Sequence, residues 1–230
     1  MPGVENDFVY PYVTGTSVLG VTYKDGVMMA SDMLASYGST KRYKSFSRMA
    51  RVNDFTVLGA SGELSDFQYI TRLLEELSDE EYCVDDGHKL QPKEVFAYLK
   101  SVMYNRRNKF DPLWNSLIVG GVYEGKPFLG TVGMIGTSYT DEHVATGFGN
   151  HLARPLMRER HRPDMSESEA RELLHDCLRV LYYRDKNSIN KFQLANITAA
   201  GVSISEPFAL DTTWDHDLFK NPTVHATGAW

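Results

Sequence analysis

Apolar positions divide the chain into strand-like and helix-like blocks. Residues 16–23 and 27–31 are short apolar runs separated by Asp25-Gly26, a strong two-residue hairpin signal. Residues 49–52 and 56–60 repeat the arrangement around Asn53-Asp54, and Ser61-Gly62-Glu63 closes it. Between the two hairpins, residues 35–47 are rich in Ser, Gly, Tyr and Lys and predict a loop or an irregular strand. The period then changes. Over 66–77, Phe67, Ile70, Leu73, Leu74 and Leu77 recur at helical spacing, with Ser65 as the expected N-cap. Residues 78–90 are acidic and read as turns. Pro92 opens a second helix to about 108, a favoured place for proline. Its buried side is Val95, Phe96, Leu99, Val102 and Met103, and Arg106, Arg107 and Lys109 suit its C-terminal end.

The second half repeats the plan. Residues 114–121 form a buried strand, and 127–132 pair back across Glu124-Gly125. Residues 136–149 are Gly-rich and alternate weakly, and 151–161 form a short helix that ends near Pro163. Ser166 with Glu169 has the capping-box pattern. The helix it opens carries Ala170, Leu173, Leu174, Cys177, Leu178 and Leu181 on one face. Residues 194–204 are a last strand region. Helices grouped between runs of hairpin-linked strands predict an α+β fold. Two sheets face to face with helices outside both give a four-layer αββα sandwich.

The ends fall outside this pattern. Residues 1–15 carry Pro2, Gly3 and Pro11 beside Phe8, Val9, Tyr10 and Tyr12, which suits an arm on a neighbouring surface or a frayed terminus. The expected division is an extension over 1–15, a domain over 16–205 and an arm over 206–230. The arm holds Trp214, Phe219 and Trp230 with no clear period, which suggests anchors on a partner, or a loose tail.

Composition narrows the function. A chain of 230 residues, 42% hydrophobic and 23% charged, supports one large soluble domain. A net charge of −6, without a Lys/Arg-dense face interleaved with aromatics, argues against nucleic acid. Two cysteines, Cys83 and Cys177, make no disulfide framework and suit a reducing compartment. No apolar run nears the roughly 18 residues of a membrane span. The first twelve residues lack the apolar core of a signal peptide. None of the seven histidines has a partner at metal-ligand spacing, and no cofactor or metal is expected. Gly147-Phe148-Gly149 is half of a dinucleotide loop, but Leu152 stands where the third glycine belongs.

The candidate chemistry sits at the head of the first strand. Thr16 follows Gly15, and Asp32 ends the return strand, where it could lie beside Thr16. That pattern suggests an N-terminal nucleophile: cutting Gly15-Thr16 would free an amine to act as base for the Thr16 hydroxyl. Together with Gly26-Val27-Met28-Met29-Ala30-Ser31-Asp32, Gly59-Ala60-Ser61-Gly62-Glu63 and Leu181-Tyr182-Tyr183-Arg184-Asp185, the Thr14-Gly15-Thr16-Ser17-Val18 motif makes the chain resemble proteasome β-type subunits over nearly its whole length. Pro112-Leu113-Trp114-Asn115, Met103-Tyr104-Asn105-Arg106-Arg107 and Ala145-Thr146-Gly147-Phe148-Gly149 are similar to a non-catalytic member at the seventh position of the β ring. The resemblance implies the sandwich of N-terminal nucleophile hydrolases.

Active members of that family use a threonine, an aspartate, a lysine and a serine–aspartate–serine set. By resemblance the threonine falls on Thr16, the aspartate on Asp32, and a later aspartate and serine on Asp185 and Ser188. The lysine position holds Arg48, Phe148 replaces the other serine, and Leu34 replaces a usual arginine. A buried lysine can lose its proton. Arginine keeps its own and has no acceptor, though it can grip Asp32 with two parallel hydrogen bonds. Two losses in one proton network should end activity, because the members act as a unit.

The expectation is therefore an inactive structural β subunit, two copies per 20S particle, in cytoplasm and nucleus. Its partners would be other α and β subunits, with no nucleic acid and no membrane. The alternatives are a self-processing threonine protease using Thr16 and a freestanding binding module on the same scaffold.

Overall fold

Two antiparallel sheets stack face to face, and helices cover the outer face of each. The computed structural model describes residues 11–84, 86–215, 217–224 and 226–228. The chain begins with β1 (Thr14–Gly15), β2 (Val18–Tyr23), β3 (Gly26–Asp32), β4 (Ala35–Tyr37), β5 (Thr40–Tyr43), β6 (Met49–Asn53) and β7 (Thr56–Glu63). Helices α1 (Leu64–Val84) and α2 (Pro92–Asn108) follow, then β8 (Asn115–Tyr123), β9 (Lys126–Val132), β10 (Ser138–Thr140) and β11 (His143–Ala145). The chain continues through α3 (Gly149–Leu152), α4 (Arg154–Arg160), α5 (Glu167–Arg184), β12 (Phe192–Thr198), β13 (Gly201–Ile204) and the single turn α6 (Asp217–Lys220).

The large sheet runs β10-β9-β8-β7-β1-β4-β5, with β6 also on β7; the small sheet runs β11-β2-β3-β12-β13. Successive strand residues point to opposite faces. On β3, Val27 and Met29 enter the layer between the sheets, while Met28 and Ala30 face α5. Both faces are covered, so β3 is buried throughout. The middle layer also takes Val18, Val57, Ile118 and Ile197. It is tight: a Cβ on Gly120 would meet the Met29 sulfur at 2.6 Å. The outer layers are the two predicted helix faces. Ile70, Leu74, Val95, Leu99 and Met103 pack on the large sheet, and Ala170, Leu173, Leu174, Cys177, Leu178 and Leu181 on the small one. The αββα order is the one the sequence predicts.

Local signals set several boundaries as expected. Pro92 starts α2 directly after a Gln91–Glu94 capping box, and Ser166–Glu169 caps α5 reciprocally. Glu124 and Gly125 both adopt positive φ (50° and 72°), as a type I′ hairpin turn requires.

Other segments differ from expectation. Helix α1 starts at Leu64, so Ser65 lies within its first turn, where its hydroxyl donates to Glu63 at 2.9 Å. The helix also runs to Val84, because the acidic stretch read as turns contains Glu80 and Glu81, good helix formers. Within residues 35–47, read as a loop or an irregular strand, residues 35–43 form the β4–β5 hairpin with a register shift at Ala35/Ser36, the second of those alternatives. The weak 136–149 segment splits between sheets, β10 pairing with β9 and β11 with β2. The expected 151–161 helix is two pieces, α3 and α4, meeting at Ala153. Thr14 and Gly15, read as part of an extension, are a strand of the large sheet. No helix among the described residues is long and apolar enough to cross a membrane.

Past β13 the chain turns back along its own domain. Phe208 pairs with Phe192, and Trp214 sits edge-on against Tyr182 and Tyr183 while staying half exposed. Residues 1–10, the side chain of Phe219 and the whole of Trp230 lie outside the described residues.

Truncating Ile118 to alanine should empty part of the inter-sheet layer and cost about 2–5 kcal/mol. The check is a lower urea midpoint at unchanged slope. An unmoved midpoint would mean that the two sheets do not pack closely there.

Candidate functional site

The site forms where the chain passes from one sheet to the other. β1 belongs to the large sheet and β2 to the small one, so residues 16 and 17 make the crossing. β1 is fixed on both sides. Thr14 pairs with Glu63 of β7 and Ser36 of β4, and Gly15 pairs with Gly62. The buried Glu63 carboxylate accepts the N–H groups of Tyr12 and Val13, and the Val13 carbonyl accepts the Leu64 N–H at 2.9 Å.

Arg48 occupies the crossing and is fully buried. Its Nη1 donates to the Thr16 carbonyl at 2.5 Å and to the Ala60 carbonyl of β7 at 3.4 Å, and its Nη2 donates to the Ser17 carbonyl at 3.0 Å and to Asp32 Oδ1. The grip on Asp32 is thus a single N–H, not the predicted parallel pair, and main-chain carbonyls take the other Nη bonds. Arg48 Nε has no hydrogen-bond partner. Asp32, at the end of β3, also accepts the N–H groups of Leu34 and Ile189 at 3.4 and 3.3 Å. Burial pushes its carboxyl up from the usual range; the adjacent guanidinium and these N–H donors pull the other way. Gly15 is obligatory for packing: a Cβ there would stand 2.2 Å from Arg48 Cδ.

The Thr16 hydroxyl turns the other way and donates to Asp185 Oδ2 at 2.5 Å. Asp185 caps the C-terminal end of α5, and its second oxygen accepts the Asn187 N–H at 2.9 Å. Ser188 donates to the Asp185 main-chain carbonyl at 2.8 Å, so it closes this turn and does not reach Thr16. Lys41 Nζ donates to the Ser188 carbonyl at 2.9 Å.

The fold therefore joins Thr16, Asp32, Arg48 and Asp185, with Ser188 as support. Phe148 is the N-cap residue of α3 and is 58% exposed. The hydroxyl at that turn comes from Ser17, which accepts the Gly149 N–H at 2.9 Å. Sequence reasoning missed Ser17 and Glu63; the signal for the latter was an acid between the apolar end of β7 and the apolar start of α1. It also missed a grouping of Glu81, His88 and Glu94, whose ligand atoms lie within 4.8 Å of one another. These three converge only because α1 outruns its predicted end. Both carboxylates are already engaged, by the Leu90 and Gln91 N–H groups.

Replacing Asp32 by alanine would leave the Arg48 charge buried without its carboxylate. The expected loss is about 3–5 kcal/mol, and Gly15→Ala should destabilise by roughly 1–3 kcal/mol through overpacking. Urea unfolding of each variant measures both; wild-type stability in either would contradict the clamp.

Comparison with known proteins agrees with this architecture. A family model described as "Proteasome subunit" matches residues 12–197. "Proteasome subunit beta type-4" of Arabidopsis thaliana is 56% identical over 222 residues, covering 96% of this chain and 90% of that protein. The protein of the same name from Xenopus laevis is 46% identical, covering 89% and 86%. "Proteasome subunit beta type-7" of Saccharomyces cerevisiae is 44% identical, covering 81% and 74%. Relatives aligned across most of their own length, and a family match that runs from Tyr12 into β12, place this chain in the proteasome subunit family, as one of its β-type members.

Proposed function

We propose that this chain is a non-catalytic, structural β subunit of the 20S proteasome core particle. The observation that carries the reading is Arg48, buried, with its guanidinium engaged by three main-chain carbonyls and Asp32. A lysine there could be emptied of its proton and serve Thr16. A guanidinium stays protonated and offers no acceptor. It also points at the Thr16 carbonyl, away from the hydroxyl.

The strand before Thr16 supports the same conclusion. An active threonine would need its own free amine, and so the loss of β1. β1 fills the gap between β7 and β4, and Gly15 is shaped to Arg48. Cutting at Gly15-Thr16 would remove a strand from the sheet. The chain keeps that bond, and any trimming falls further toward the N-terminus, made by a neighbour's active site. The rival reading, a self-processing threonine protease, draws on the Thr16–Asp185 hydrogen bond. A carboxylate is a weaker base than an α-amine by several orders of magnitude, so that bond alone does not make a nucleophile.

In this role the subunit completes the β ring and contacts other α and β subunits, two copies to each particle, in cytoplasm and nucleus. Its C-terminal arm, 206–230, helps join the half-particles, with Trp214, Phe219 and Trp230 as anchors.

Purified particles should yield this chain at two copies by native mass spectrometry, with residues before Thr16 retained. A chain that begins at Thr16, or Thr16 labelled by a covalent threonine-directed inhibitor, would sink the inactive assignment. Deleting residues 215–230 should slow half-particle joining, read as accumulated half-particles on native gels; normal joining would remove the arm's role.

A further inference from the structure

The large sheet ends on β5, whose four residues are all exposed and whose outer edge has no strand on it among the described residues. Such an edge offers main-chain N–H and C=O groups to another extended chain. It is also strongly cationic. β5 and the residue after its end carry Lys41, Arg42 and Lys44, and the turn that follows α5 brings Lys186 and Lys191 to the same surface. Three hydrogen bonds fix this arrangement. Lys41 donates to the Ser188 carbonyl at 2.9 Å, Lys186 to Ser39 Oγ at 3.2 Å and Lys191 to Ser45 Oγ at 2.7 Å.

Every one of those acceptors is neutral. Elsewhere on the molecule arginines pair with carboxylates, as in Arg160–Asp176, Arg162–Glu169 and Arg154–Asp141. Among the described residues, none of these five cations takes part in an ion pair. The two acids at this corner are buried: Asp32 pairs with Arg48, and Asp185 accepts from Thr16 and Asn187. A chain of net charge −6 thus gathers an excess of positive charge at one sheet edge. Exposed Tyr37 and Tyr43 flank it, amphipathic side chains that suit an interface rim.

The geometry points to this edge as a docking surface for an acidic, extended segment of a neighbouring subunit. The inference rests on the reading of the chain as a ring subunit, and it names which surface meets the neighbour and what chemistry the neighbour presents. The edge supplies main-chain pairing, which only a polypeptide uses. The five cations select Asp- or Glu-bearing sequence and repel a basic one, which is how charge sets partner choice in an interface.

Zero-length carbodiimide coupling of the assembled particle, with peptide mapping, tests it directly. Lys41, Lys44, Lys186 or Lys191 should cross-link to carboxylates of one neighbouring subunit. The same lysines should acetylate about tenfold more slowly in the particle than in the free chain. A Lys44→Glu, Lys186→Glu double variant should keep its circular-dichroism spectrum yet enter particles about tenfold less efficiently, while Lys44→Arg, Lys186→Arg enters normally. If the wild-type chain is present at two copies while these lysines acetylate freely and form no cross-links, the edge cations serve solubility alone and the inference falls. Protection without carboxylate cross-links would also overturn it, by showing a neutral partner. Absence of the wild-type chain from particles would instead overturn the subunit reading on which it rests.

Discussion

A guanidinium sealed from water at the junction of two sheets constrains everything around it. Arginine does not shed its proton to escape burial, so the fold must bring acceptors to it. Arg48 finds them in the Thr16 and Ser17 carbonyls and in Asp32. Those acceptors lie on different elements: the crossing between β1 and β2, and the end of β3. One side chain therefore ties the large sheet to the small one at the place where the chain changes sheets. The bare α-carbon of Gly15 is the condition for this clamp, because the Arg48 stem lies against it.

The same interaction carries the proposed non-catalytic role. A nucleophilic threonine needs a base that can be emptied and refilled, and the guanidinium of the clamp neither gives up its proton nor accepts one. The Thr16 hydroxyl is left to a structural task, closing against Asp185 at the end of α5. β1 adds a second constraint, since both of its edges are occupied. The segment before Thr16 is part of the sheet, held through Glu63 and the pairing with β4 and β7.

The surface follows a different logic from the interior. Most surface arginines pair with acids, and such exposed pairs contribute little to stability. The β5 edge instead leaves its cations on neutral oxygens, and the geometry that collects them serves recognition, not folding.

Much of this was legible in the chain itself. The helical stripes of α1, α2 and α5, the hairpin turn at Glu124-Gly125 and the capping box at Ser166 follow from local periodicity and dihedral preference, which need no distant partner. The first hairpin turns at Lys24-Asp25, one residue before the expected Asp25-Gly26, because Gly26 already pairs with Tyr23. The layer order follows from how those elements alternate. The identity of Arg48 was equally plain, because the loss of an emptiable amine is a property of the residue type. Tertiary structure alone decided what Arg48 binds, that Phe148 faces solvent while Ser17 supplies the hydroxyl at that turn, and that Ser188 supports Asp185. It alone made a strand of Thr14-Gly15 and a single cationic edge from lysines about 145 positions apart in the chain. The reason is physical: a two-residue strand or a carbonyl acceptor carries no side-chain pattern, so its partners exist only once the sheets have stacked.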